Sequence, residues 1–254
     1  MSRQTGICVL FASGVGALFL VGCSPAVDRV SADRFVATGE LIALSGGYAG
    51  APFACATCHG LDGSGNGAGA PRLSGLDPGY LHRQMEGYAA GLRKHAQMEH
   101  VAAKLTSEQR RTVSLHYATL PAPEPRPMPA APAPDLWARG DPARGLQPCA
   151  LCHGERGEGA GPGNPALGRQ PAAYLSDQLR LWRSGERRND PDNVMQRISR
   201  RLAPSEVPAL AAYAGALPAD PARPEFREAF PAAHRAGPRS DVSGQRQHEA
   251  VSTP

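Results

Sequence analysis

The chain has 254 residues, a formal net charge of +4 and 6% aromatic residues, with 29 Gly and 25 Pro. That length is a soft prior for one or two domains, and so few aromatics leave two cores short of large apolar filling. No basic run is interleaved with aromatics, so the basic balance does not indicate a nucleic-acid partner.

Taken from the start, Arg3 precedes an apolar stretch from Ile7 to Val21, and Gly22-Cys23 follow. A positive start, a short apolar segment and a small residue before the cleavage point predict a secretory leader. The segment is too short and too Gly-rich for a comfortable membrane span. Leu20-Val21-Gly22-Cys23 resembles the bacterial lipoprotein box. The resemblance implies cleavage before Cys23 and acylation of its sulfur and amine; plain secretion or an uncleaved anchor is the alternative. Several acyl chains hold a protein on a membrane far better than one. Ser24, rather than Asp, after the cysteine favours the outer membrane by the same resemblance. The expectation is a signal peptide and lipidation site over 1–23 and a periplasmic, lipid-anchored protein.

A first domain is expected over 33–120. Phe35, Leu41, Ile42 and Leu44 give a short apolar periodicity ending at Ser45-Gly46-Gly47, a helix leading into Cys55-Ala56-Thr57-Cys58-His59. Two cysteines separated by two residues and followed at once by His form a c-type haem attachment motif. Each thiol adds to one vinyl group on a porphyrin edge, and the adjacent imidazole reaches the iron from one face. Thioredoxin-like pairs and half zinc sites share the cysteine spacing. The adjoining His and a second copy, Cys149-Ala150-Leu151-Cys152-His153, favour haem. A porphyrin in each half would also supply the missing apolar filling. The other cysteines, Cys8 and Cys23, fall in the leader. No pair is left for a disulfide and no thiolate for an axial ligand. Loss of Arg3 takes the formal charge from +4 to +3, and four ionised propionates would bring the holoprotein to about −1.

Gly-rich loops follow each motif, Gly60 to Gly69 and Gly154 to Gly163, and suit a chain wrapping a flat cofactor. Pro71 lies 12 residues past His59 and Pro165 lies 12 past His153. One offset of 94 relates Cys55 to Cys149, Pro71 to Pro165, Tyr80 to Tyr174, Gln84 to Gln178 and Gly91 to Gly185. The halves are therefore an internal duplication. The offset becomes 97 for Met98 and Met195, Leu105 and Leu202, and Pro121 and Pro218, with the extra residues near Asp190-Pro191-Asp192.

Thr106-Ser107-Glu108-Gln109 predicts a capping box opening a helix that carries Val113, Tyr117 and Leu120. Its partner is expected from about Ser205 to Leu217, with Pro208 tolerated in the first turn. Residues 121–134 hold seven prolines and form a semi-rigid linker to a second domain over 135–218. Residues 219–254 lack periodicity and are expected to be a disordered tail, or a docking segment on Phe226 and Phe230.

His59 and His153 fill one axial position of each iron. Candidates for the other in the first half are Met85, Met98, His82, His95, His100 and His116. Met85 maps onto Leu179, His82 onto Ser176, and none of the four histidines has a His counterpart. A lone Met is normally a packing residue. Met98 and Met195, each upstream of a terminal helix, are therefore the expected ligand pair; Met128 sits in the linker. A thioether favours reduced iron and raises the reduction potential.

These residues resemble class I cytochromes c, and the duplicated layout resembles the dihaem cytochrome c4 family over roughly residues 33–218. The resemblance rests on Cys55, Cys58 and His59 with Met98, and on Cys149, Cys152 and His153 with Met195. It implies an all-α fold of two tandem class I cytochrome c domains, two covalently bound haem c groups, and carbonyls of Pro71 and Pro165 holding the ligand imidazoles. It also implies two haems close enough for fast electron exchange.

The expected function is single-electron shuttling between a quinol-oxidising complex and a terminal oxidase or reductase. A haem-bearing subunit of a larger dehydrogenase or oxidase is the alternative. A dihaem peroxidase needs an iron that can open a coordination site and usually has unlike haems, whereas these halves match. Thiosulfate-oxidising cytochromes use a Cys axial ligand, and none remains.

Overall fold

The computed structural model describes residues 38–67, 69–124 and 127–218. The leader with Cys8 and Cys23, the expected domain start at residue 33 and the tail from 219 lie outside the described residues. No helix among the described residues is long and apolar enough to cross a membrane.

The first half opens with α1 (Gly39–Ser45), whose N-cap Thr38 accepts from the Leu41 backbone N–H at 3.1 Å. Gly46 ends it with φ 76°, and a Cβ there would sit 2.1 Å from the Gly50 carbonyl oxygen. A side chain is excluded by that approach as well as by the left-handed backbone. Two 3-10 turns, Gly47–Ala49 and Ala51–Phe53, carry the chain to α2 (Cys55–His59). Then come α3 (Pro78–Ala89), capped by the Asp77 side chain on Tyr80 N–H, and α4 (Ala96–Lys104). The half closes with α5 (Ser107–Thr119), where Thr106 and Gln109 form both arms of a capping box. Such a cap contributes about 1 kcal/mol.

The second half repeats the plan with α6 (Asp135–Ala138), α7 (Cys149–His153), α8 (Ala172–Ser184), α9 (Val194–Arg201) and α10 (Glu206–Ala216). The change of offset is a 3-10 turn, Pro191–Asn193, inserted before α9, with φ 53° at both Asp192 and Asn193. The terminal helix starts at Glu206, and Ser205 makes no side-chain cap. The Glu206 carboxylate instead ties down the preceding turn, accepting from Ala203 N–H at 2.7 Å while pairing with Arg144 at 2.9 Å.

Each half has its own core. Ile42, Leu76, Leu81, Val101, Leu105, Val113 and Tyr117 pack together in the first. Trp137, Leu146, Leu175, Leu202, Val207, Leu210 and Leu217 pack in the second. Fully burying one such side chain contributes about 1.5–3 kcal/mol. Helix α5 packs on α1 and α3, and α10 packs on α8. Gly39 allows the first of these contacts, since a Cβ would lie 2.4 Å from the Thr112 carbonyl oxygen.

No strand forms among the described residues; two isolated bridges occur, Arg93 with Arg187 and Asp141 with Leu146. The first joins the halves, flanked by Lys94 N–H to Glu186 O at 3.0 Å and Arg188 N–H to Leu92 O at 2.7 Å. Gln170 adds a second junction: its amide accepts from Arg72 N–H at 3.0 Å and donates to Arg72 O at 2.9 Å. The architecture is all-α, one five-helix plan used twice.

Candidate functional site

Helices α2 and α7 are each little more than one turn. Cys55 and Cys58 are three apart, and Cys55 and His59 four apart, so all three fall on one helical face. Gly60 (φ 80°) and Gly154 (φ 79°) stop the turns directly after the histidines. The chain then doubles back: Gly65 N–H donates to His59 O at 2.8 Å and Gly159 N–H to His153 O at 2.8 Å. This return brings Pro71 and Pro165 onto the imidazoles.

The Nδ1 atom of His59 lies 2.9 Å from Pro71 O, and that of His153 lies 2.9 Å from Pro165 O. A carbonyl can only accept, so Nδ1 carries the proton and Nε2 keeps its lone pair. Burial lowers the pKa of both rings below the ordinary histidine value, against an opposing contribution from the carbonyl bond. Both imidazoles are thereby held neutral, the state a metal requires.

The four cysteines of the two motifs form no disulfide, and burial pushes the Cys55 and Cys149 thiols up to about 11. They line one continuous cavity of about 800 Å³ together with His59, His153, Met98 and Met195. That is the scale of a large cofactor site. Met85 also reaches the cavity but is packed against the first core, and Met128, in the linker, is 40% exposed. The other histidines of the first half have separate contacts. His82 pairs with Glu86 at 3.0 Å, His95 caps α4 by accepting from Met98 N–H and also lines the cavity, His100 lies tilted against Phe53 and His116 meets Tyr117 edge-on.

The walls fit a porphyrin. Val101, Val113, Leu175 and Leu210 supply apolar surface. Tyr117, Trp137, Trp182 and Arg93 line the cavity, while Tyr117 Oη, Trp137 Nε1, Trp182 Nε1 and Arg93 Nε are themselves buried and have no hydrogen-bond partner among the described residues. The donor set fits as well: two thiols and a neutral imidazole on one turn in each half, with a thioether on the same cavity. When bound, haem supplies a one-electron Fe(III)/Fe(II) couple.

Arg72, Arg93 and Arg187, also at the cavity, were missed in the reading of the sequence. Arg93 and Arg187 stand at the same 94-residue offset as the tyrosines and glutamines, so the duplication carried the signal. Burial opposes the Arg93 charge, and Tyr174, Tyr88 and Tyr80 outweigh it, raising its pKa above the ordinary arginine value. Burial pushes Arg72 down to about 10, still charged at neutral pH.

Twin helical cradles with a Cys-X-X-Cys-His turn define the class of c-type cytochromes. The family model described as "Cytochrome c" matches residues 48–116 and 146–217, and the chain belongs to that family. It is similar to a thiosulfate dehydrogenase electron acceptor of Stutzerimonas stutzeri, 37% identical over 79% of this chain and 91% of that protein. Among solved structures it resembles thiosulfate dehydrogenase (TsdBA) from Marichromatium purpuratum in its as-isolated form, with 39% identity and a TM-score of 0.60. That match covers 71% of this chain, which spans 39% of the solved one. Reduced recombinant cytochrome c4 from Pseudomonas stutzeri matches 64% of this chain and 93% of its own length, with 27% identity and a TM-score of 0.56. The protein is a cytochrome c4-like electron-transfer protein with two tandem cytochrome c domains and two covalently bound haem c groups.

Proposed function

We propose that this cytochrome is held at the periplasmic face of a bacterial membrane by acyl chains on Cys23 and accepts single electrons from a thiosulfate-oxidising dehydrogenase. It passes them to a terminal oxidase or reductase. Cys55, Cys58, Cys149 and Cys152 would carry the thioether links, and His59 with Met98 and His153 with Met195 would hold each iron through nitrogen and sulfur. The carbonyls of Pro71 and Pro165 fix each imidazole's tautomer and orientation. An iron held on both sides by protein would exchange electrons with little rearrangement.

The observation that carries the donor class is the 37% identity, over most of both chains, to a protein named as a thiosulfate dehydrogenase electron acceptor. A quinol-oxidising complex is the second donor, favoured by the lipoprotein-type leader, which would place the cytochrome on the membrane where such complexes work. Stopped-flow mixing decides between them. Oxidised holoprotein is mixed with thiosulfate and a catalytic amount of thiosulfate dehydrogenase, or with a quinol-oxidising complex and quinol. Rapid reduction of both haems in the first mixture and slow reduction in the second is the expected result. The reverse order would transfer the role to the quinol-oxidising complex.

A further inference from the structure

Buried charge in the described residues does not balance. Arg72, Arg93 and Arg187 are 1%, 3% and 2% exposed, and no Asp or Glu is buried among the described residues. Burying a charge without a counter-charge is expensive, and a guanidinium brings five donors to satisfy.

The partners of Arg93 and Arg187 are neutral. Arg93 donates to Gln84 Oε1 at 3.0 Å, Tyr174 Oη at 2.8 Å and Gln178 Oε1 at 2.7 Å. Arg187 donates to Gln178 Oε1 at 2.8 Å, Gln84 Oε1 at 2.9 Å, Tyr80 Oη at 3.3 Å and Asn189 Oδ1 at 3.2 Å. Such acceptors satisfy hydrogens without cancelling charge. Asp177, Asp190 and Asp192 also line the cavity, but none bonds Arg93 or Arg187: Asp177 pairs with Arg180, and Asp190 accepts from Gln196 N–H at 3.2 Å through one oxygen while its other is buried without a partner. Arg93 Nε is buried and has no partner at all.

The pattern is reciprocal. Each guanidinium is held by a Tyr and a Gln of the opposite half, and the two backbones meet in the Arg93–Arg187 bridge. Both side chains line the cavity. Helix α3 approaches this junction closely because Gly87 has no side chain; a Cβ there would sit 2.6 Å from Asn189 Nδ2.

We propose that Arg93 and Arg187 form one shared cationic seat for the carboxylates of both haems, so that each arginine acts on the reduction potential of both irons. The inference rests on the haem reading of the cavity given above. A guanidinium fork matches a carboxylate bidentately, and the carboxylate supplies the charge that Gln and Tyr lack. A fixed cation near an iron favours the reduced form, which carries one positive charge less.

The test is spectroelectrochemical titration of purified holoprotein for the wild type and for Arg93→Met, Arg93→Gln, Arg93→Lys and Arg187→Gln. Gln keeps a polar contact to Gln178 and tolerates burial if Met does not. Loss of either charge is expected to lower the reduction equilibrium constant of both haems about tenfold, which is about 59 mV for a one-electron couple. Arg93→Lys is expected to restore most of that shift. Unchanged potentials with a lowered unfolding temperature would make the pair a purely structural junction and overturn the proposal. A shift confined to one haem would overturn the shared seat. Pyridine haemochrome analysis of the same samples separates this from the underlying reading, which fails if the wild type carries fewer than two haems per chain.

Discussion

The carbonyl oxygen of Pro71 accepts from Nδ1 of His59 at 2.9 Å across a loop of eleven intervening residues, and Pro165 repeats the contact on His153 at the same distance. Because the acceptor is backbone, its position depends on the glycines that turn the loop rather than on the proline side chain. At Gly65 (φ 80°) a Cβ would lie 2.6 Å from Ala70 O, and at Gly159 (φ 76°) 2.6 Å from Asn164 O.

Gly65→Ala and Gly159→Ala are therefore each expected to destabilise the holoprotein by about 1–3 kcal/mol, from left-handed backbone strain combined with the steric clash. Gly69 and Gly163 occupy the matched place later in each loop and have nothing within 4 Å of a built Cβ. Gly69→Ala and Gly163→Ala should stay within about 0.5 kcal/mol of the wild type. Thermal unfolding followed at the haem absorbance checks all four, and equal losses at both pairs would refute the loop argument.

Met98 and Met195 both line the cavity from the first turns of α4 and α9. Met98→Ala and Met195→Ala are each expected to abolish half of the sulfur-to-iron charge-transfer absorption. Each should also leave one haem able to bind carbon monoxide. A full-intensity band in either variant would remove that residue from the iron.

Glu86 joins α3 to α5 through Arg110, with Nε to Oε1 at 2.8 Å and Nη2 to Oε2 at 2.9 Å. The Arg110 hydrogen bond, helped by Ser107 and opposed by burial, lowers the Glu86 carboxyl to about 2. A depressed folded-state pKa gives stability that is fully present above the unfolded glutamate value near 4.3 and is lost as pH falls through about 2. The Glu86 side chain is 38% exposed, so solvent screening reduces its worth to about 1 kcal/mol at neutral pH. Glu86→Gln should lose that amount at pH 7 and converge with the wild type toward pH 2. Unfolding temperatures measured from pH 2 to pH 7 check the convergence; a constant gap would contradict it.

Cys23→Ser removes the thiol that the lipoprotein-type leader would acylate. The variant is expected to move from the membrane fraction to the soluble periplasmic extract with both haems attached. Retention on the membrane after the substitution would exclude an anchor at Cys23.

The Cys-X-X-Cys-His turns, the matched offset of Pro71 and Pro165 and the three-residue insertion before α9 were all legible in the chain, whereas the role of the proline carbonyls came only from the family resemblance. Each depends on spacing within one turn or one short loop, or on the register of a duplication. The start of α10 fell within one residue of the expected Ser205, but the contacts that hold it were not legible. Ser205 makes no side-chain cap, and Glu206 accepts from Ala203 N–H while pairing with Arg144, 62 residues away.

By itself the sequence determined what is local: two covalent attachment turns, a histidine adjoining each, one methionine per half in matching register, and a helical plan written twice. Only the tertiary structure decided the fate of Arg93 and Arg187. Charged residues in a sequence read as solvated surface, and whether a guanidinium is buried depends on what packs over it from far along the chain. Here Tyr174 and Gln178 of one half and Tyr80 and Gln84 of the other close over the pair. Burial is a property of that meeting of the halves, and no spacing within either half encodes it.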